Sequence, residues 1–180
     1  YIHYKETTGA KGLSFSAYRN VSIVEDDRLI HTDTLTYNDY SEIMALKNGG
    51  VIKEAEKGLS GDEIIIQYDD TLLIKIDINI NAEAWQDINR KISKKDPFYY
   101  QFRNEMKSNF ISVNFENNEI EKMFLSNMAE TIYHVAEDSL LMGTNHASGD
   151  TIIMSFENSD LKRIQVVGGG QGIFTPESGN

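Results

Sequence analysis

The sequence predicts an all-β protein, and three observations carry that expectation. Apolar and polar residues alternate over short runs, and turn-forming residues separate the runs at intervals of about 8–12 residues. One phrase also recurs, as SGDEIIIQYD at 60–69, SNFISVNFEN at 108–117 and SGDTIIMSFEN at 148–158. Alternation of period two puts a continuous row of side chains on one side of a pleated strand. The row is Ile64, Ile66 and Tyr68 in the first phrase, Ile111, Val113 and Phe115 in the second, and Ile152, Met154 and Phe156 in the third. β-branched and aromatic residues of this kind suit a half-buried pleated surface.

Taken in order, the strand-like runs are GLSFSAYRNVSIVE (12–25), HTDTLTYND (31–39), the first phrase, LLIKIDINI (72–80), the second phrase, ETIYHVAED (130–138), the third phrase and RIQVVGG (163–169). Turn residues between them include Glu25-Asp26-Asp27, Asn48-Gly49-Gly50, Ser60-Gly61-Asp62 and Asn117-Asn118. One segment departs from the pattern. Trp85, Ile88 and Ile92 stand at helical spacing with Pro97 as a stop, which predicts a short amphipathic helix over 83–95 inside an insertion spanning 82–107. An aromatic connection, PFYYQF, follows it. Such a helix would cap an open end of the sheets, or lie on a membrane surface.

Aligning Phe115 with Phe156 matches FENNEIEKM to FENSDLKRI, so that Ile120 meets Leu161 and Met123 meets Ile164. The repeating unit is a hairpin with a step of about 40 residues, and units that cannot bury their apolar side alone stack. Hairpins stacked along an axis give an elongated body with exposed strands at its ends. At 180 residues the chain fits one domain over 1–180.

Composition narrows the function. No run approaches the roughly 18 apolar residues of a membrane-spanning helix, so no transmembrane segment is expected. The net charge of −11 argues against nucleic acid, and NRKISKK (89–95) reads as a solvated charged face. The absence of cysteine removes disulfides, thiol nucleophiles and zinc–thiolate sites. GGGQG (168–172) lacks the Lys-Ser/Thr of a phosphate loop and runs into Ile173-Phe174-Thr175-Pro176, which makes it a bend between two strands. Asp62 and Asp150 recur at equivalent places, as a glycosidase would need, but each follows glycine where Asp serves turn chemistry. His3, His31, His134 and His146 show no metal-ligand spacing, and no nucleophile elbow surrounds any serine. No catalytic residue, metal or cofactor is expected, and the chain reads as a non-enzyme.

What remains is the apolar row. It is either a filled core, as in a structural or adhesive β-solenoid or β-sandwich, or the lining of a groove held open between sheets. A groove would attract a long hydrocarbon, because each methylene withdrawn from water contributes about 0.8 kcal/mol.

The stretch LIHTDTLTYNDYSEIMALKNGGVIKEAEKGLSGDEIIIQYDD (29–70) resembles the repeating phrase of the OstA/LptA-like family of periplasmic lipopolysaccharide-transport proteins. The resemblance rests on Asp33, Leu35, Tyr37, Ala45, Gly50, Val51, Leu59, Asp62, Ile64 and Tyr68. GTNHASGDTIIMSFENSDLKRIQVVGGGQGIFTPE (143–177) is similar to later repeats of longer members, including the periplasmic N-terminal domain of the outer-membrane assembly component. The resemblance implies a twisted, open β-jellyroll of two antiparallel sheets in a V, located in the periplasm of a Gram-negative envelope. Lipopolysaccharide or another acylated lipid would lie with its acyl chains between the sheets. Ile64, Ile66, Ile111, Val113, Phe115, Ile152, Met154 and Phe156 would line the groove, with Ser112 and Ser155 facing water. Partners would be further OstA-like domains, copies of this chain included, joined by edge-strand pairing. With a chain this acidic, binding would rest on acyl burial and not on charge.

Overall fold

The computed structural model describes residues 2–6, 13–95, 97–158 and 160–177. They form eleven strands: β1 (Ile2–Glu6), β2 (Leu13–Glu25), β3 (Arg28–Asn38), β4 (Ile43–Glu54), β5 (Lys57–Asp69), β6 (Leu72–Arg90), β7 (Tyr100–Glu116), β8 (Glu119–Glu137), β9 (Leu140–Glu157), β10 (Asp160–Val167) and β11 (Gln171–Pro176). Each strand from β1 to β9 pairs antiparallel with the next in an open meander that ends on β10, and β11 pairs with β9, so one sheet contains all eleven. The hairpins turn tightly through left-handed residues such as Asp26, Asn117-Asn118 and Asp138. That geometry matches the twist of the flanking strands.

The strands bend in the middle. Every ladder from β2–β3 to β8–β9 shifts register there, for example between Lys47 and Gly50 and between Ser126 and Ala129. At this level alternate strands carry two consecutive left-handed residues: Arg19-Asn20, Asn48-Gly49, Ile80-Asn81 and Asn127-Met128. Gly168-Gly169 supplies the fifth pair, between β10 and β11. The intervening strands answer with a small residue and then Asp or Asn: Thr32-Asp33, Gly61-Asp62, Ser108-Asn109 and Gly149-Asp150. These corners line up into a seam. The sheet folds along it into an upper arm (14–18, 34–47, 63–79, 110–126, 151–158, 160–167) and a lower arm (21–32, 50–61, 82–95, 97–108, 129–149, 171–176).

Residue size explains how the fold closes. Bulky residues of the upper arm pack over a lower-arm row of Gly50, Gly61, Ala82, Ser108, Ala129 and Gly149. A Cβ added at Gly61 would collide with Ile78, and one at Gly50 would sit 3.1 Å from Ile64. Thr32 and Ser108, buried at the corner, donate their hydroxyls to nearby carbonyls, Thr32 to Lys47 at 2.9 Å and Ser108 to Phe110 at 2.8 Å.

Four expectations need correction. The segment 83–95 is not a helix: through Arg90 it continues β6, paired to β5 on one side and to β7 on the other. Trp85 and Ile88 fall on opposite faces, Ile88 inward and Trp85 outward over Gly58, where a Cβ would strike the indole. Helix-forming Ala, Glu and Gln yield here to pairing on both edges. Second, Ser60-Gly61-Asp62 and Asn48-Gly49-Gly50 are corners inside β5 and β4, not turns between strands. Third, the two expected sheets are halves of one continuous sheet. Fourth, Ser112 does not face water; it is 6% exposed, flanked in register by the longer side chains of Asp77 and Phe124.

Ile80 is the corner residue least suited to its backbone, a β-branched side chain at φ 59° and 58% exposed. Left-handed geometry costs such a residue about 1–2 kcal/mol, and Asn tolerates it. Ile80→Asn is therefore expected to raise the thermal midpoint by roughly 2–4 °C. Gly61→Val, which overpacks the seam, should lower it by at least as much. Calorimetry on the two variants checks both signs.

Candidate functional site

Register converts the scattered apolar positions into rows. Beside the seam, Leu35, Leu46, Ile64, Ile78, Ile111, Leu125 and Ile152 stand in unbroken cross-strand register, ending on Val166. The first seven are 0% exposed. A second row runs from Tyr37 through Met44, Ile66, Ile76, Val113, Met123 and Met154 to Ile164. Farther out, Phe115 meets Ile120 and Phe156 meets Leu161, with Tyr68 and Leu73 paired likewise. All six pack against the core but stay only half-buried. The trough between the arms is thus sealed at its floor and apolar at its lip.

The lower arm faces it with Leu59, Ala84, Met106, Thr131 and Ala147 in register. Farther out comes Tyr133, packed on the same core. Burial pushes the Tyr68 and Tyr133 phenols above their ordinary value. The next influences come from the opposite arm: Arg28 partly offsets the rise at Tyr68, and Asp160 adds to it at Tyr133. Both hydroxyls thus sit in poorly hydrated surroundings at the lip.

The far end of the lower arm closes on itself. The Lys91 N–H donates to the Ser139 carbonyl at 2.8 Å, and the Leu141 N–H donates to the Lys91 carbonyl at 2.7 Å. The far ends of β6 and β9 therefore meet, although two strands separate them in the sheet. The β7–β8 ladder ends at Glu105–Ile132, and beyond it the buried Asn104 side chain accepts the His134 N–H at 2.8 Å in place of a backbone partner.

Of the eight expected groove residues, Ile64, Ile66, Ile111, Val113, Ile152 and Met154 lie in the two sealed rows, and Phe115 and Phe156 lie at the half-buried lip. Ile120, Leu161 and Leu73 join them there. Their pairing across two-residue turns was the signal that would have found them. The lower-arm face was missed because alternation built on Ala, Thr and Ser is weak.

The other candidates separate. Asp62 and Asp150 are exposed at the seam, four strands and so about 19 Å apart, too far for a glycosidase pair. Asp62 accepts the Asn81 amide, and the Asp150 N–H donates to the Gly168 carbonyl. His31 bonds Ser22, and His146 meets Glu130 at 2.8 Å; the His3 side chain lies outside the described residues. Among the described residues no three His, Asp or Glu groups gather as a metal site, and no helix is long and apolar enough to cross a membrane.

What fold and trough define is a class: an all-β body made of one antiparallel sheet folded around an apolar interior, the β-jellyroll-like architecture of LptA. A solved structure of that architecture is LptH, described as the LptA-homologous periplasmic component of the conserved lipopolysaccharide transport device from Pseudomonas aeruginosa. The two are 12% identical and superpose with a TM-score of 0.51 over 78% of this chain and 93% of LptH. At that identity the likeness is one of fold. No family model matches the chain, and no curated protein matches it.

Burial lowers the His134 pKa from 6.5. A histidine less basic in the fold than in the unfolded chain leaves the fold at full strength above about pH 6.5 and weakens it as pH falls below that value. Denaturant midpoints should therefore drop between pH 7 and 5, and His134→Gln should flatten part of that drop.

Proposed function

We propose that this chain is a non-enzymatic lipid-binding module that carries lipopolysaccharide across the periplasm toward the outer membrane, holding its acyl chains in the trough between the arms. The observation that carries the reading is the lip: Tyr68, Phe115 and Phe156 face the opposite arm and remain half-buried, while the rows behind them are sealed. An acyl chain laid along that lip would finish the burial that the protein's own side chains leave incomplete. About a dozen methylenes so covered contribute on the order of 10 kcal/mol before ordering costs. The fold shared with LptH supports the same reading. The sugars would remain in solvent, and exposed edge strands would join the module to similar domains or to its own copies.

The sealed rows favour a second reading, a structural or adhesive β protein with a filled interior and all its contacts at its edges. Lipid extraction and mass spectrometry on protein purified from a Gram-negative host separate the two. The transport reading expects co-purified lipopolysaccharide, lost in Phe115→Asp and Phe156→Asp variants that keep their circular dichroism. Protein free of lipid, and unable to load when lipopolysaccharide is added, leaves the filled-core reading.

A further inference from the structure

The trough does not account for the connection between β6 and β7. The other connections at that end of the lower arm, Asp26-Asp27, Ala55-Glu56 and Asp138-Ser139, are two residues long, whereas this one runs from 91 to 99. Connections longer than geometry requires commonly carry function. Its contents are unusual for this chain. Over 90–100 stand Arg90, Lys91, Lys94 and Lys95 against the single acid Asp96, in a protein of net charge −11. Beside them Phe98, Tyr99 and Tyr100 are 67%, 57% and 41% exposed.

The segment has a fixed base. Lys91 is bonded on one side to Ser139 of the β8–β9 turn and on the other to Leu141 of β9, the Lys95 N–H donates to Ser93 Oγ, and Lys91 Nζ lies 5.1 Å from the centre of the Tyr99 ring. Lys94 and Lys95 are exposed. Aromatic rings beside lysines are the chemistry of a bilayer interface: the rings settle at headgroup depth, and the ammonium groups meet lipid phosphates. An acidic protein is otherwise repelled by an anionic surface, so contact must be made through a cationic segment such as this one, reaching past the acidic turns Asp26-Asp27, Ala55-Glu56 and Asp138-Ser139 at the same end.

We infer that the 91–100 segment docks on the surface of an anionic phospholipid bilayer, with Phe98 and Tyr99 entering the headgroup layer and Lys94 and Lys95 on its phosphates. The inference stands apart from acyl-chain transport, because it requires no lipid in the trough. The full chain is floated with vesicles of equal parts phosphatidylglycerol and phosphatidylcholine, and with phosphatidylcholine alone. Binding is expected to the mixed vesicles only, and to weaken as salt rises. A Lys94→Glu/Lys95→Glu variant and a Phe98→Ser/Tyr99→Ser variant should each lose at least about tenfold in partitioning at an unchanged thermal midpoint. Phe115→Asp, a trough variant, should still float. Failure of the unaltered chain to float, equal flotation with phosphatidylcholine alone, or undiminished binding by both loop variants would overturn the inference.

Discussion

One apolar row governs this molecule. Leu35, Leu46, Ile64, Ile78, Ile111, Leu125 and Ile152 stand side by side across consecutive strands, and each such side chain contributes about 1.5–3 kcal/mol when fully withdrawn from water. A flat single sheet would leave the whole row in solvent. Here the sheet supplies its own cover by bending every strand at one level, so that its lower half lies over its upper half. The paired left-handed residues, and the small residues beside them, follow from that requirement. Where one of the two left-handed positions at a bend is neither Asn nor Gly, as at Ile80, the strand accepts an unfavourable backbone there so that the row stays covered.

Much of this was legible in the sequence, and the failures have physical causes. Period-two alternation in the three repeated phrases located the upper-arm rows, because there the contrast between Ile, Met or Phe and polar neighbours is large. The bend between β10 and β11 was readable from GGGQG. The lower half of β6 was not. Its inward residues Ala82, Ala84 and Ile88 are interleaved with Glu83, Trp85 and Asp87, and the accidental spacing of Trp85, Ile88 and Ile92 imitates a helix. Only pairing with β5 and β7 decides the matter, and such long-range pairing leaves no local trace. Corners were misread as turns for a related reason: Asn-Gly-Gly and Ser-Gly-Asp signal a change of direction but not whether the chain reverses or only bends.

The candidate site grades with distance from the seam. Next to the corner, bulky-on-small packing leaves no room for a guest, which is why six of the eight expected residues are sealed. Toward the lip burial falls, and the row ends in half-buried aromatic rings with two poorly hydrated phenols. In the proposed function that gradient divides the labour: the floor holds the arms together, and the lip takes the acyl chains. A guest would enter by parting the arms at the lip while the seam holds as a hinge. The bonds from Lys91 to Ser139 and Leu141 limit how far the lower arm itself can spread.

The hinge is therefore what to measure. The chain has no cysteine, so two introduced ones can be spin-labelled without background. Asn89 in the lower arm and Glu116 in the upper arm are both exposed and lie far from the seam. Pulsed electron–electron resonance between labels at these positions should give a longer distance when lipopolysaccharide is added than in its absence. A distance that stays the same, in protein shown to have bound the lipid, would contradict a trough that opens about its seam.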